Sequence, residues 1–217
     1  ITNMIRSYIH RCQKDGVKIV MNCEVTPELI KEEKPDSVII ATGSKTLILP
    51  IEGIDNPAII HGSDLLDGKR AAGKKVLVVG GGMVGCETAA FLGEQEHDVT
   101  VIEFRDTVGA DVIHEHRVYL MKDFEDYGIK EITGAKVCKF YEDGVEYETA
   151  DGVRHESRGY DSVILSMGFR NYNPLEEKIK DLVPETHVIG DAIRARRALD
   201  ATKEAYEVAS RICQSIQ

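Results

Sequence analysis

One run, Val76 to Glu103 (VLVVGGGMVGCETAAFLGEQEHDVTVIE), limits what this chain can fold into more than any other. It reads as strand, glycine turn, helix, second strand and acidic tip. Gly80, Gly82 and Gly85 give the G-x-G-x-x-G spacing directly after the β-branched run Val76-Leu77-Val78-Val79. In that pattern the first glycine permits a tight turn and the second admits a ligand to bare backbone. The third lets the helix pack close to the sheet. The helix would aim its unpaired N–H groups and positive dipole end at a diphosphate. Val99-Thr100-Val101-Ile102 forms the next strand. Glu103 closes it eighteen residues after Gly85, where a carboxylate can accept hydrogen bonds from ribose hydroxyls. The expectation is an adenine-dinucleotide site; a doubly wound domain that keeps the turn and lacks the ligand is the alternative.

At 217 residues the chain can hold one large domain or two modest ones. A net charge of −10 with no basic stripe argues against a nucleic-acid partner, and Arg194-Ala195-Arg196-Arg197 is too short to change that. No apolar stretch approaches the roughly 20 residues of a membrane span. The opening segment is amphipathic rather than basic-then-apolar, so a cytoplasmic location is expected. Cys12, Cys23, Cys86, Cys138 and Cys213 are odd in number and never in C-x-x-C spacing. That suits reduced thiols, and offers neither a redox dithiol nor an iron–sulfur ligand set within this chain. Cys86, at the first turn of the helix, reads as a small buried filler, with a helix-stabilised thiolate as the alternative.

The remaining elements follow from periodicity and turn signals. Ile1 to Gln13 places Ile1, Met4, Ile5, Ile9 and Cys12 near one helical face, stopped at Asp15-Gly16. The lack of an initiator methionine or lead-in loop suggests a fragment of a longer chain. Val17–Met21 is expected as a strand, Glu28–Glu32 as a short helix and Ser37–Ala41 as a buried strand. Residues 44–74, with Pro50, Pro57 and several glycines, read as connector broken by a helical turn near Ser63–Leu66. A helix over Val112–Tyr127 and a strand over Ile129–Ile132 follow. Strands near Lys136–Tyr141, Val145–Thr149 and Val153–Ser157 form an antiparallel meander, because turn signals separate runs of period-two alternation. Tyr160–Ser166 returns as an apolar strand, His187–Ile189 is a short one, and Ala198–Ser215 is the last helix. Three strand tips, at Thr42-Gly43, Met167-Gly168 and Gly190-Asp191, place small residues where ligands gather outside parallel sheets.

The segments PDSVIIATGSK, KKVLVVGGGMVGCETAAFL and HVIGDAIRARRALDATKEAYEVA together resemble the C-terminal half of the NADH:flavin oxidoreductases, the group of 2-enoate reductases, 2,4-dienoyl-CoA reductase and trimethylamine dehydrogenase. The resemblance covers essentially the whole chain. It implies an α/β fold of two Rossmann-like dinucleotide-binding domains, one nested in the other, with a β-meander. Residues 1–58 and 172–217 would form an N-terminally truncated FAD domain, and 59–171 the NAD(P)H domain. FMN and a [4Fe-4S] cluster would belong to a barrel upstream in the same polypeptide. Ala41, Thr42 and Gly43 would lie along FAD, with Gly190 and Asp191 at its pyrophosphate and ribityl region. Gly80, Gly82, Met83, Val84, Gly85 and Glu103 would hold NADH, and Gly168 would approach its nicotinamide half. Glu103 favours NAD because a carboxylate repels a 2′-phosphate; Arg105, two residues on, keeps NADP open. Without its own glycine loop, the FAD portion is expected to retain flavin weakly or not at all.

The resemblance supplies no acid–base residue, and the hydride chemistry would belong to the cofactors. His114 and His116 read as a solvated helix face, and Asp111, His114 and Glu115 as a weaker metal reading. A homo-oligomer remains open. Two other functions stay in view: a non-catalytic ADP- or NAD-binding structural module, and a dithiol-disulfide reductase, for which no paired cysteines are present.

Overall fold

The computed structural model describes residues 2–215, and the chain divides into two compact units. Among those residues one unit runs to Thr42 and resumes at Asn173; the other is Gly43–Tyr172. In the split unit, α1 (Thr2–Lys14) and α2 (Pro27–Glu33) precede strand β1 (Ser37–Ile40). The α1 stop is a Schellman turn: Val17 N–H donates to Cys12 O and Gly16 N–H to Gln13 O, with Gly16 at φ +74°. Thr26 caps α2 by accepting from Leu29 N–H, and Pro27 takes the first helical position.

The central unit begins with β2 (Ser44–Thr46), β3 (Ile60–His61) and α3 (Gly62–Leu66). The glycine-loop run follows as β4 (Lys75–Val79), α4 (Met83–Glu94) and β5 (Asp98–Ile102). Next come α5 (His114–Asp126) and β6 (Lys130–Ile132), then the meander β7 (Lys136–Tyr141), β8 (Gly144–Glu148) and β9 (Arg154–Ser157). The unit closes with β10 (Ser162–Leu165) and β11 (Phe169–Asn171). The chain then returns to the split unit with α6 (Glu176–Ile179), β12 (Glu185–Val188), a 3-10 turn over Gly190–Ala192 and α7 (Ala198–Ser215).

The central sheet is parallel, in the order β3-β10-β4-β5-β6. Strand β4 is apolar on both faces, as a doubly covered parallel strand must be. Val76 and Val78 face a cluster with Cys86, Ala89 and Leu92 of α4 and Leu120 and Phe124 of α5. Leu77 and Val79 face the other way, against Phe140 and Val145 of the meander and Tyr160. The meander is thus the second cover of the sheet. That explains why a three-stranded antiparallel insertion, half exposed, can be stable here.

Four expectations change. Residues 17–21 form no strand; Val17, Ile19, Val20 and Met21 are exposed and find no ladder partner among the described residues. The connector contains two short strands, because Ser44–Thr46 pairs antiparallel with β11 and Ile60–His61 pairs parallel with β10. Residues 43–58, grouped from sequence with the split part, pack with the central unit. Ile51 and Ile54 join its meander-side core, and Phe140 N–H donates to Glu52 O. The last strand also sits earlier than expected, over Glu185–Val188, with Ile189 leading into the 3-10 turn. Among the described residues no helix is long and apolar enough to cross a membrane.

Candidate dinucleotide site

The turn between β4 and α4 is built by backbone approach. Gly80 sits at φ +105°, a conformation that side chains disfavour, and a Cβ there would stand 2.4 Å from Ser166 O. A Cβ on Gly85 would meet Gly80 O at 1.8 Å, so the first turn of α4 lies directly on the glycine loop. Gly82 differs. It is the helix N-cap at φ −72°, ψ −175°, a conformation open to any residue, and the nearest atom to its would-be Cβ is Asp111 Oδ2 at 3.3 Å. Its side-chain space is therefore a seat and not a packing contact.

Two carboxylates serve the loop. Glu103 Oε2 accepts from Gly81 N–H at 2.5 Å, and Oε1 accepts from Arg105 N–H at 2.9 Å. Half-buried at the tip of β5, the side chain lies against the glycine turn and keeps acceptor capacity beyond these two bonds. Asp111 Oδ1 accepts from Met83 N–H, the first residue of α4, at 2.9 Å. Gly109 N–H donates to Gly81 O at 2.7 Å and holds the segment after β5 over the loop. The fit to a diphosphate rests on these contacts: a helix-start N–H group that already holds an anionic oxygen, beside a seat lacking a side chain.

The other expected residues fall in two places. Gly168 follows β10, the neighbour of β4, at φ +98° with open space where a Cβ would be. Val84 lies in the first turn of α4, and Arg105 is exposed beyond Glu103. In the split unit, β1 and β12 pair in parallel, so Ala41-Thr42 and Gly190-Asp191 are adjacent tips; Gly43 already counts with the central unit. There Gly190 N–H donates to Glu204 Oε2 at 2.7 Å, Arg196 Nη2 donates to Glu204 Oε1 at 2.6 Å, and Arg196 N–H donates to Asp191 Oδ1 at 3.0 Å. Sequence reading singled out neither Gly81 nor Glu204, and weighed Asp111 only as a metal ligand. No pattern marks Asp111, since only the folded loop brings it to α4. Among the described residues, no three His, Cys, Asp or Glu side chains gather as a metal site would need.

Cys86 is fully buried, and its thiol donates to Gly81 O at 3.2 Å. Burial pushes its pKa up to about 12, outweighing the Gly109 backbone hydrogen bond that acts the other way. Alkylation followed by mass spectrometry should therefore modify the exposed Cys23 and Cys213 of the folded chain and leave Cys86 untouched. Glu204 is held below its ordinary value of 4.5, first by the Arg196 hydrogen bond and then by Gly190 N–H. A carboxylate with a depressed folded-state pKa stabilises above its unfolded value and loses that contribution as pH falls through the folded one. Melting curves of the native chain and Glu204→Gln should differ near neutrality and converge as pH falls through the lowered folded-state value.

The pattern of the family described as pyridine nucleotide-disulphide oxidoreductase matches residues 2–189. Cinnamate reductase of Clostridium sporogenes is 31% identical over 200 residues, covering 91% of this chain and 30% of that protein. NADH oxidase of Thermoanaerobacter brockii is 32% identical over 202 residues, covering 91% of this chain and 31% of the relative. A solved 2-naphthoyl-CoA reductase, in complex with 2-naphthoyl-CoA, superposes with a TM-score of 0.85 at 32% identity, over 94% of this chain and 31% of its own. The chain thus spans about a third of the length of these relatives. Its parallel sheet, glycine turn and sequence together make it a member of the pyridine nucleotide-disulphide oxidoreductase family, similar to the flavin- and nicotinamide-binding region of the enoate-type reductases.

Proposed function

We propose that this chain is the electron-entry portion of a flavin-dependent NADH oxidoreductase. Gly43–Tyr172 binds NADH, and the split unit contributes part of an FAD site. The carrying observation is the helix-start N–H of Met83 bonded to a carboxylate oxygen at 2.9 Å, next to the vacant side-chain position of Gly82. Bound NADH supplies a hydride and FAD accepts it. This chain's own residues bind and orient. Gly81, Gly82, Met83 and Val84 offer backbone to the diphosphate, Glu103 takes the adenosine ribose, and Gly168 gives the nicotinamide half a side-chain-free approach. Glu103 selects NADH, since a 2′-phosphate would meet its negative charge. Ala41, Thr42, Gly43, Gly190 and Asp191 line the flavin portion. The chain holds one glycine loop, and it is in the central unit, so flavin retention by this segment is expected to be weak.

Relatives named for reducing cinnamate and acting on 2-naphthoyl-CoA support an activated C=C bond of enoate or enoyl-CoA type as the final acceptor. That step belongs to an FMN and [4Fe-4S] barrel elsewhere in the polypeptide. Calorimetric titration of the chain with NADH and NADPH tests the binding. NADH should bind more tightly, and silence from both would remove the assignment. NADH oxidation by the full-length, FAD-loaded polypeptide separates this reading from a structural ADP-binding module, which would bind without turnover. A dithiol-disulfide reductase, the chemistry in the family's name, needs a paired-cysteine motif, and the cysteines of this chain lie in no such spacing.

A further inference from the structure

We infer that Asp111 is a built-in stand-in for the dinucleotide's diphosphate, and that nucleotide binds by displacing its carboxylate from the start of α4. The inference rests on the dinucleotide reading of this turn. Asp111 Oδ1 accepts from Met83 N–H at 2.9 Å, and Oδ2 lies 3.3 Å from where a Gly82 side chain would begin. Both carboxylate oxygens thus lie against the backbone that a diphosphate would use. An anion of this kind at a helix start satisfies the same orphan donor and meets the same dipole as a phosphate oxygen. The two cannot share one N–H group and one seat, because like charges at contact distance repel.

The surroundings make the displacement local. Val108 and Val112, on either side of Asp111, are buried in the helix-side core, and Gly109 N–H ties the segment to Gly81 O at 2.7 Å. Asp111 itself is exposed between those anchors. Its side chain can rotate into water while the backbone stays pinned, so release costs a rotamer change and one hydrogen bond, with no loop opening. Apo stability and nucleotide affinity are therefore set against each other at one side chain. The carboxylate caps an otherwise uncapped helix, and every cap it makes is a contact the ligand must replace.

The test compares native chain, Asp111→Asn and Asp111→Ala with ADP, NADH and adenosine as calorimetric probes. Glu115→Gln, an exposed acid in the first turn of α5, controls for the loss of one negative charge nearby. Asp111→Ala should bind ADP and NADH about tenfold more tightly while melting at a lower temperature without ligand, the scale of one lost cap contact. Asp111→Asn, whose amide oxygen still accepts from Met83 N–H without the charge, should bind with a smaller gain and melt close to native. Adenosine affinity should not change, and Glu115→Gln should behave as native. Unchanged or weaker ADP binding in the Asp111 variants would overturn the inference. A native-chain crystal with ADP gives a readout independent of any variant's folding: a diphosphate in the seat with Asp111 still on Met83 N–H would also overturn it. If no form of the chain binds ADP or NADH, the dinucleotide reading falls first and takes this one with it.

Discussion

Gly85→Ala should lower the melting temperature of the chain by roughly 4–8 °C and abolish NADH binding. Two effects oppose each other at this position. Gly85 lies inside α4, where alanine is intrinsically favoured by about 1 kcal/mol. Against that, the new Cβ would sit 1.8 Å from Gly80 O, a backbone atom that cannot turn aside as a side chain could. Overpacking of this kind costs about 3 kcal/mol. The clash wins by about 2 kcal/mol, and 1 kcal/mol moves the midpoint of a chain this size by about 2–4 °C. Relief must come from α4 moving off the glycine turn, which carries the N–H of Met83 away from its partner. Thermal melts and calorimetry read the two consequences separately. A variant that melts like the native chain would mean that α4 does not press on Gly80 O at this position.

Gly82→Leu should lose binding without the stability cost: it leaves the fold nearly intact and weakens NADH binding by about 100-fold or more, equivalent to about 3 kcal/mol. Its backbone conformation suits any residue, and the new Cβ would come no closer than 3.3 Å to the mobile end of Asp111. The stability loss is that of a poorer N-cap, about 1 kcal/mol at most, or a melting shift of about 2–4 °C. The leucine side chain would fill the space the diphosphate needs. Undiminished NADH affinity in a well-folded Gly82→Leu chain would mean that this loop does not hold the phosphates. Two glycines three residues apart thus separate packing from binding, which a single substitution in the motif would confound.

Much of the architecture was legible in order along the chain. The β4–α4–β5 run announced itself because a doubly covered strand is continuously apolar and the turn after it demands glycine at fixed spacing. The meander was legible from its period-two alternation and its Asp-Gly turn signals. The strand expected at Val17–Met21 shows the limit. Its composition suits a strand, yet a strand exists only with a partner for its N–H and C=O groups, and these residues have none among those described. Ser44–Thr46 and Ile60–His61 show the converse, because two or three residues carry no periodicity and become strands only through β11 and β10.

At the candidate site, the residues named from sequence are those whose role is written in local chemistry: glycines for a turn and an acid at a strand end. What sequence alone determined was this local unit and its order, because turn sterics and alternating burial act over a few neighbouring residues. Only the tertiary structure decided which carboxylates reach the loop. Asp111 meets Met83 across twenty-eight positions, and Glu204 meets Gly190 across fourteen. Contacts at such separations depend on how loops and helices pack, and short polar side chains in loops carry no pattern that reveals their partners.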